Sequence, residues 1–242
     1  MKICVFTQSF LPKVGGQEIV VDQLAREYVR AGHEVVVQAQ NSSWLTKPAS
    51  LGVPYGLEWY RKPRSRHWAV PVLRRSLLRL HRAWPYDVIH CHKLYPGGYA
   101  ALQAAQRCRV PLVVTSHDAW TVNVDARQDQ HGFTLAAHWQ QQERGRVCQT
   151  LEQADAVTAL SGFMQQWLTG LCPNCASRLH VIPNGVDLER FAQPVGDGGA
   201  MARRYAPLKG RFLLFLGRLT SIKRGPSIGS DHLPLIATFQ LP

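Results

Sequence analysis

Residues 2–39, "KICVFTQSFLPKVGGQEIVVDQLAREYVRAGHEVVVQA", contain a complete strand–helix–strand unit. Residues 2–6 and 34–39 are short apolar runs, and the second is rich in valine, which favours β-strands. Between them, the apolar residues of 17–31 recur at the spacing of one helix face. Gly32 follows this helix at the position where left-handed backbone favours glycine. Two strands joined by a helix predict a parallel pair.

The same pattern recurs downstream. The sequence predicts further strands at 87–90, 110–115, 156–160 and 179–182, and further helices at 97–107, 136–153 and 162–169. The run at 110–115 is continuously apolar, as expected for a strand buried on both faces of a parallel sheet. Ser161 stands where an N-cap is expected. We therefore expect an α/β fold, a doubly wound Rossmann-like parallel sheet of about seven strands.

The length and composition predict one large domain followed by a fragment. The chain has 242 residues, of which 45% are hydrophobic, enough for one buried core. Residues 193–199 are rich in glycine and proline and indicate a linker; 211–216 then begin a new strand, with which 235–241 could pair. The predicted domains are 1–193 and 194–242, the latter a linker and the truncated start of a second domain.

Several features bear on the cellular compartment. No apolar run approaches the roughly 20 residues that a membrane span needs, and the first residues lack a signal-peptide pattern, so we expect a cytoplasmic protein. Six cysteines are scattered, with Cys172 and Cys175 in a C-x-x-C. No further zinc ligands are evident at suitable spacing. The alternatives are a redox pair and a loop with two reduced thiols.

The positive charge is concentrated in one segment. The formal net charge is +12, and residues 61–82 contain eight Lys or Arg and no acidic residue. Such a stripe attracts anionic lipid, nucleic acid or a charged substrate. Leucines alternate with arginines from 68 to 82, which indicates either a basic amphipathic helix at a membrane or acidic-acceptor surface, or an ordinary surface helix.

A glycine loop lies between the first strand and the first helix. It contains Lys13, Gly15 and Gly16. Ligands of such sheets bind at the carboxyl ends of the strands, and free N–H groups at a helix start suit a phosphate or sugar oxygen. The alternative is a tight turn without a ligand. The loop is not G-x-G-x-x-G, so the dinucleotide fingerprint is absent.

Histidines follow two of the predicted strands. Strand alternation places His90 and His92 on the same side, which suggests either a metal pair or a packed His90 with His92 directed towards the cleft. His117 and Asp118 end the most apolar strand. His117 is suited to act as a hydrogen-bond donor or proton carrier near neutral pH, the alternative being a strand cap.

Two cations flank a loop after the late strand at 211–216. Arg218 and Lys223 are five residues apart. Arginine can bind a phosphate through two hydrogen bonds, and lysine adds a point charge. Two solvated cations are the alternative at this spacing.

Six segments carry a family resemblance. In order, they are "PKVGGQEIVVDQLAREYVRAGHEVVV", "DVIHCHKLYPGG", "VPLVVTSHD", "ADAVTALSGFMQQWL", "VIPNGVDLERF" and "FLGRLTSIKRG". With them, the chain resembles the retaining, two-Rossmann-domain (GT-B) glycosyltransferases called family four, from residue 1 to about 225. The resemblance implies sugar transfer from a nucleotide-sugar donor to an acceptor hydroxyl, with retention at the anomeric carbon.

The resemblance also implies roles for individual residues. His117 would contact the donor sugar. Gly15, Gly16, Arg218 and Lys223 would bind the donor and its phosphates. Neither a metal nor a cofactor is then required. The candidates on the acceptor side are Lys13, His92, Tyr95 and Asp118. The expected partners are a nucleotide sugar and a sugar, lipid-linked or small-molecule acceptor, with no nucleic acid.

The chain departs from the family pattern near its end. The segment "PSIGSDHLPLIATFQLP", residues 226–242, matches nothing of the second domain and lacks the family's two glutamates separated by seven residues. We therefore expect a truncated or frame-changed chain that is inactive alone. The alternative is a non-catalytic acceptor- or membrane-binding module. We also expect peripheral contact between residues 61–82 and the inner face of the membrane.

Overall fold

The chain folds as two compact units. The computed structural model describes residues 1–12, 15–41, 51–61, 68–117, 135–188, 192, 213–215 and 235–237. The first unit comprises Met1–Gly185 and the second Val186–Pro242. The predicted boundary after residue 193 lies outside the described residues and stays a prediction.

The first unit is built on a seven-stranded parallel sheet. Its strands are β1 (Lys2–Thr7), β2 (Glu34–Asn41), β3 (Gly56–Arg61), β4 (Val88–Cys91), β5 (Leu112–Ser116), β6 (Ala156–Ala159) and β7 (Leu179–Val181). They lie in the order β3-β2-β1-β4-β5-β6-β7, and every neighbouring pair is parallel. The predicted Rossmann-like α/β fold is confirmed.

In the described residues, five α-helices accompany the strands. They are α1 (Gly16–Arg30), α2 (Ala69–Ala83), α3 (Tyr99–Cys108), α4 (Leu135–Gln153) and α5 (Gly162–Leu171). The expected helix signals are present: the Ser161 hydroxyl accepts a 3.2 Å hydrogen bond from the Met164 amide, and Gly32 has φ +83°. A left-handed φ of this kind favours glycine.

Side-chain alternation in β1 separates two apolar cores. Cys4 and Phe6 belong to a core that includes residues of α2 and α3. Ile3 and Val5 belong to a second core, which includes residues of α1. Because successive side chains of a strand point to opposite faces, the sheet carries helices on both sides, as in a doubly wound fold.

Helix α2 uses its apolar stripe to pack on the larger core. Leu73, Leu77 and Leu80 are buried there. The arginines of the helix, Arg74, Arg75, Arg79 and Arg82, are exposed. Burying one leucine side chain stabilises the fold by about 1.5–3 kcal/mol, so this stripe is not available for insertion into lipid. Within the described part of the chain, no helix is both long and apolar enough to cross a membrane.

The second unit contains a short antiparallel pair. Strand β8 (Leu213–Phe215) pairs with β9 (Leu235–Ala237). The pairing of the late strand with the C-terminal segment agrees with the sequence prediction.

Candidate functional site

The first feature of the site is the reversal of strand order beside β1. Strands β2 and β4 both pair with β1: the chain runs from β1 through α1 to β2 on one side, and from β4 through α3 to β5 on the other. Ligands of open α/β sheets bind in the crevice outside the carboxyl ends of the strands at such a switch point. Thr7 ends β1 and His92 follows β4. The candidate site is therefore the edge at which these two residues lie.

His92 and His117 meet at this edge because β4 and β5 are neighbours. Their ring nitrogens, Nδ1 of His92 and Nε2 of His117, are 2.9 Å apart. His92 is buried, with 1% of its surface exposed, whereas His117 is partly exposed. Burial, followed by the neighbouring histidines, holds the pKa of His92 well below its usual value. His92 is therefore neutral at physiological pH.

His90 lies behind this pair in a chain of hydrogen bonds. Its Nδ1 is 2.9 Å from the Tyr28 hydroxyl, and its Nε2 is 2.7 Å from the Thr115 hydroxyl. The Thr115 hydroxyl donates in turn to that of Thr158, at 3.1 Å. With this assignment of the Thr115 hydroxyl, His90 Nε2–H donates to Thr115 and the Tyr28 hydroxyl donates to His90 Nδ1. Burial first, and His117 second, lower the pKa of His90 to about 4.

The two β4 histidines lie on the same side of the sheet, as strand alternation predicted. The ring centroids of His90 and His92 are 4.2 Å apart, so both side chains lie on the same side. His90 packs, while His92 contacts His117 at the strand ends. In the portion of the chain that the structure describes, no group of three or more potential ligands could hold a metal ion.

The glycine loop leads directly into α1. Gly15 has an extended backbone (φ −157°) and accepts a 3.1 Å hydrogen bond from the Ile19 amide. The carboxylate of Glu18 lies over it: a Cβ on Gly15 would stand 2.5 Å from Glu18 Oε2. The Ser9 hydroxyl donates to Oε1 of Glu18. The Glu18 residue is 5% exposed. A buried carboxylate therefore already lies at the helix start.

Gln17 joins the helix start to both strand ends. Its Nε2 donates to the main-chain oxygen of His92 at 2.9 Å and to the Thr7 hydroxyl at 3.3 Å. Sequence reasoning missed Gln17 and Glu18 as site residues. The signal available for Glu18 was its position three residues after the N-cap Gly15, where an acidic side chain often folds back on a helix start.

A tight turn after β4 completes the described edge. Residues Leu94–Gly98 connect β4 to α3 and include an extended backbone at Tyr95 (φ −144°, ψ 143°), and a Cβ on Gly98 would stand 2.6 Å from the Lys93 carbonyl oxygen. Tyr95 is 8% exposed, and its hydroxyl accepts a 3.0 Å hydrogen bond from Arg146 of α4. Tyr95 is thus packed against α4, and its acceptor-side role stays a prediction.

The remaining predicted site residues cannot be placed. Lys13, Asp118, Arg218 and Lys223 lie outside the described residues. The structure therefore brings together His92, His117, Gly15 and Gly16 at one edge of the sheet, through α1 and the ends of β4 and β5.

The C-x-x-C cysteines are reduced and buried. Cys172 and Cys175 are both free thiols, and Cys172 Sγ lies 3.4 Å from Glu152 Oε1. Burial, then the hydrogen bond to Glu152, raise the pKa of Cys172 to about 12. Because the reactive form of a cysteine is the thiolate, this environment opposes the redox interpretation and favours a packed loop.

Comparison with solved structures defines the class of the fold. The chain is similar to Anabaena Alr3699/HepE, solved in complex with UDP, with a TM-score of 0.56 and 18% identity over 85% of this chain and 50% of that one. The seven-stranded parallel sheet with its flanking helices is a Rossmann-like unit of the GT-B class. The family model of Glycosyltransferase Family 4 matches residues 14–190. The chain belongs to this family, as its motifs indicated.

Curated relatives support the same assignment. The chain is 29% identical to a D-inositol 3-phosphate glycosyltransferase of Xylanimonas cellulosilytica, covering 91% of this chain and 56% of that protein. It is 26% identical to a GDP-mannose-dependent alpha-mannosyltransferase of Mycobacterium tuberculosis, covering 92% and 57%. The chain thus spans somewhat more than half the length of these relatives.

Proposed function

We propose that the chain forms the acceptor-side half of a retaining glycosyltransferase, which transfers a sugar from a nucleotide-sugar donor to an acceptor hydroxyl. The observation that carries this proposal is the His92–His117 pair at the strand-order switch point, beside the glycine start of α1. Family membership supports it, as do the UDP complex of HepE and the GDP-mannose dependence of the mycobacterial relative.

In this proposal, positioning and electrostatics supply most of the rate. His117 contacts the donor sugar, and Arg218 and Lys223 neutralise the departing diphosphate, so that neither metal nor cofactor is needed. Fixing two reactants in a reactive geometry can contribute about 7–11 kcal/mol to lowering a barrier. Charge stabilisation by preorganised donors adds to this.

The family resemblance implies donor and phosphate binding by the glycine loop; we propose instead that this loop binds a hydroxyl group of a sugar or polyol acceptor. The buried Glu18 carboxylate already compensates the positive end of the α1 dipole, and it would repel a second anion at the same place. A carboxylate accepts hydrogen bonds from hydroxyl groups. The sequence left two ligands open for the glycine loop, a phosphate and a sugar oxygen. The position of Glu18 favours the sugar oxygen.

A chimera tests the proposed function independently of chain length. Residues 1–185 would replace the corresponding half of the Xylanimonas relative, and transfer of labelled sugar would be measured with UDP- and GDP-sugars and inositol phosphate. We expect transfer with retention of configuration, determined by NMR of the product, and a loss of at least about a hundredfold for His117→Ala, the scale of a misplaced reactant.

The matched control is His180→Ala, because His180 is an exposed histidine of β7. This variant should transfer sugar at the wild-type rate. A chimera that folds, binds inositol phosphate and transfers no sugar would instead support the non-catalytic binding module. Inversion at the anomeric carbon would refute the retaining mechanism.

We further propose that the exposed arginines of α2 make peripheral contact with anionic membranes. Among the described residues, no carboxylate pairs with these arginines. Because the leucines of α2 belong to the core, the contact would be electrostatic, assisted by the exposed Trp68 that precedes the helix. Such contact weakens as salt screens the charges.

A further inference from the structure

The main chain and ring of His92 are fixed from several directions. Its amide donates to the Phe6 carbonyl oxygen at 2.9 Å, and its own carbonyl oxygen accepts from Gln17 at 2.9 Å. The ring centroid is 4.2 Å from that of His90 and 5.2 Å from that of His117. His92 therefore offers His117 a rigid hydrogen-bonding partner.

The short contact between His92 and His117 requires one proton between two nitrogens. Neutral imidazole carries a single N–H, and its other nitrogen is an acceptor. Either His92 Nδ1–H donates to His117 Nε2, or His117 Nε2–H donates to His92 Nδ1. Tautomers are inferred from the surrounding hydrogen bonds, so the remaining nitrogen of His92 distinguishes the two arrangements.

That nitrogen, Nε2 of His92, is buried and has no hydrogen-bond partner among the described residues. In the second arrangement it would carry a buried N–H without an acceptor. In the first it would be a buried acceptor without a donor. In protein backbones, unpaired buried N–H groups are rarer than under-satisfied carbonyl oxygens, and the same preference applied to this ring favours the first arrangement.

We propose that His92 is a positioning residue, whose Nδ1–H donates to Nε2 of His117 and thereby keeps the proton of neutral His117 on Nδ1. Nε2 of His117 is then occupied as an acceptor, and Nδ1 is a donor. Neutral His117 therefore has no ring lone pair with which to take a proton from a substrate.

This inference deepens the proposed function and rests on it for one point, the ligand of His117. If His117 contacts the donor sugar, it does so as a hydrogen-bond donor to a sugar oxygen. It does not act as a general base. No proton is transferred in this role, and the hydrogen bond only orients the donor.

The tautomers can be measured on the 242-residue chain itself. Two-bond ¹H–¹⁵N correlation spectra of the ¹⁵N-labelled protein at pH 8 distinguish protonated from lone-pair ring nitrogens. Removal of signals in His117→Asn and in His92→Asn assigns the two rings. We expect His117 with a protonated Nδ1 and a lone-pair Nε2. A protonated Nε2 on His117 in the wild-type protein would overturn the proposal.

Two substitutions separate positioning from mere packing. His92→Asn retains an amide donor near the position of Nδ1, and His92→Leu retains bulk without a donor. We expect the Nδ1–H form of His117 to persist in His92→Asn and the Nε2 resonance to move into the N–H range in His92→Leu. Backbone amide spectra show whether each variant folds. If His92→Leu does not fold, the His117 tautomers of the wild-type protein and of His92→Asn still test the proposal.

An unchanged His117 tautomer in folded His92→Leu would refute the positioning role. The measurement needs neither substrate nor turnover. A failed transfer assay would therefore count against the proposed function and leave the tautomer result standing.

Discussion

Gln17, in the first turn of α1, donates a 2.9 Å hydrogen bond to the main-chain oxygen of His92, which follows β4. The same amide nitrogen reaches the Thr7 hydroxyl at the end of β1. One side chain thus connects the helix that starts at the glycine loop to both strands of the switch point. Because the bonded oxygen belongs to the residue that contacts His117, this link fixes the histidine pair relative to the loop.

Replacing Gln17 by alanine should weaken this link. A net hydrogen bond contributes about 0.5–1.5 kcal/mol, so we expect the free energy of unfolding in urea to fall by about that amount. The control is Gln166→Ala, because Gln166 is an exposed residue of α5, and it should change stability little. Equal stability of Gln17→Ala and wild type would contradict the importance of the link.

The two adjacent glycines should respond differently to alanine. Gly15→Ala would displace the Glu18 carboxylate and break its hydrogen bond with Ser9, lowering the free energy of unfolding by about 1 kcal/mol. A Cβ on Gly16 meets nothing within 4 Å, so Gly16→Ala should be neutral or stabilising by up to about 1 kcal/mol. Thermal unfolding compares the two variants.

A double-mutant cycle identifies the cause of the Gly15 effect. If the effect arises from Glu18, Gly15→Ala should add little further destabilisation in a Glu18→Ala background. Two fully additive effects would show that the alanine disturbs the loop in another way.

His90 should make the fold sensitive to acid. Its pKa is about 4 in the folded protein against roughly 6.5 in an unfolded chain, so between these values the unfolded state binds more protons. Stability is therefore complete above about pH 6.5 and falls as the pH decreases towards 4, by about 3 kcal/mol from this residue.

Urea unfolding at pH 7 and pH 4.5 measures this loss. It should be smaller in His90→Asn, which cannot titrate in this range, than in wild type. His180→Asn, at an exposed position, should retain the wild-type dependence. The same loss in His90→Asn and wild type would exclude His90 as the source.

Charge on α2 should control any binding to anionic vesicles. The triple variant Arg75→Gln, Arg79→Gln and Arg82→Gln should lose most co-sedimentation with phosphatidylglycerol vesicles at low salt, and wild-type binding should weaken at high salt. A control that removes the same net charge from other exposed positions is Arg30→Gln, Arg107→Gln and Arg178→Gln. Equal wild-type recovery with neutral and anionic vesicles would refute the contact.

Strong apolar runs made most of the sheet predictable. Strand β3 was missed because its six residues, GLEWYR, lie at the edge of the sheet and only Tyr60 is buried. The leucine–arginine pattern of α2 predicted a helix but left its apolar face unassigned, because the same stripe suits a core or a membrane. The structure assigns it to the core.

The site was predictable to the level of strand ends. His92 and His117 follow strands that a parallel sheet places side by side, so their proximity follows from the order of the chain. The bonds made by Gln17 and Glu18 depend on how each side chain bends after the first turn of α1 is formed, and helical periodicity carries no such information. The same holds for the proton shared between the histidines.

The chain of hydrogen bonds from Tyr28 of α1 through His90 and Thr115 to Thr158 connects α1 with β4, β5 and β6. A shift of β4 by one residue would replace His90 by Cys91 or Ile89, turn the imidazole to the opposite face, and remove the hydrogen bonds that join His90 to the Tyr28 and Thr115 hydroxyl groups. Purely apolar strands, such as β5 in its first three residues, tolerate such slippage more readily. The buried histidine thus makes incorrect alignments of the central strands unfavourable, and selects the one pairing during folding that brings His92 beside His117.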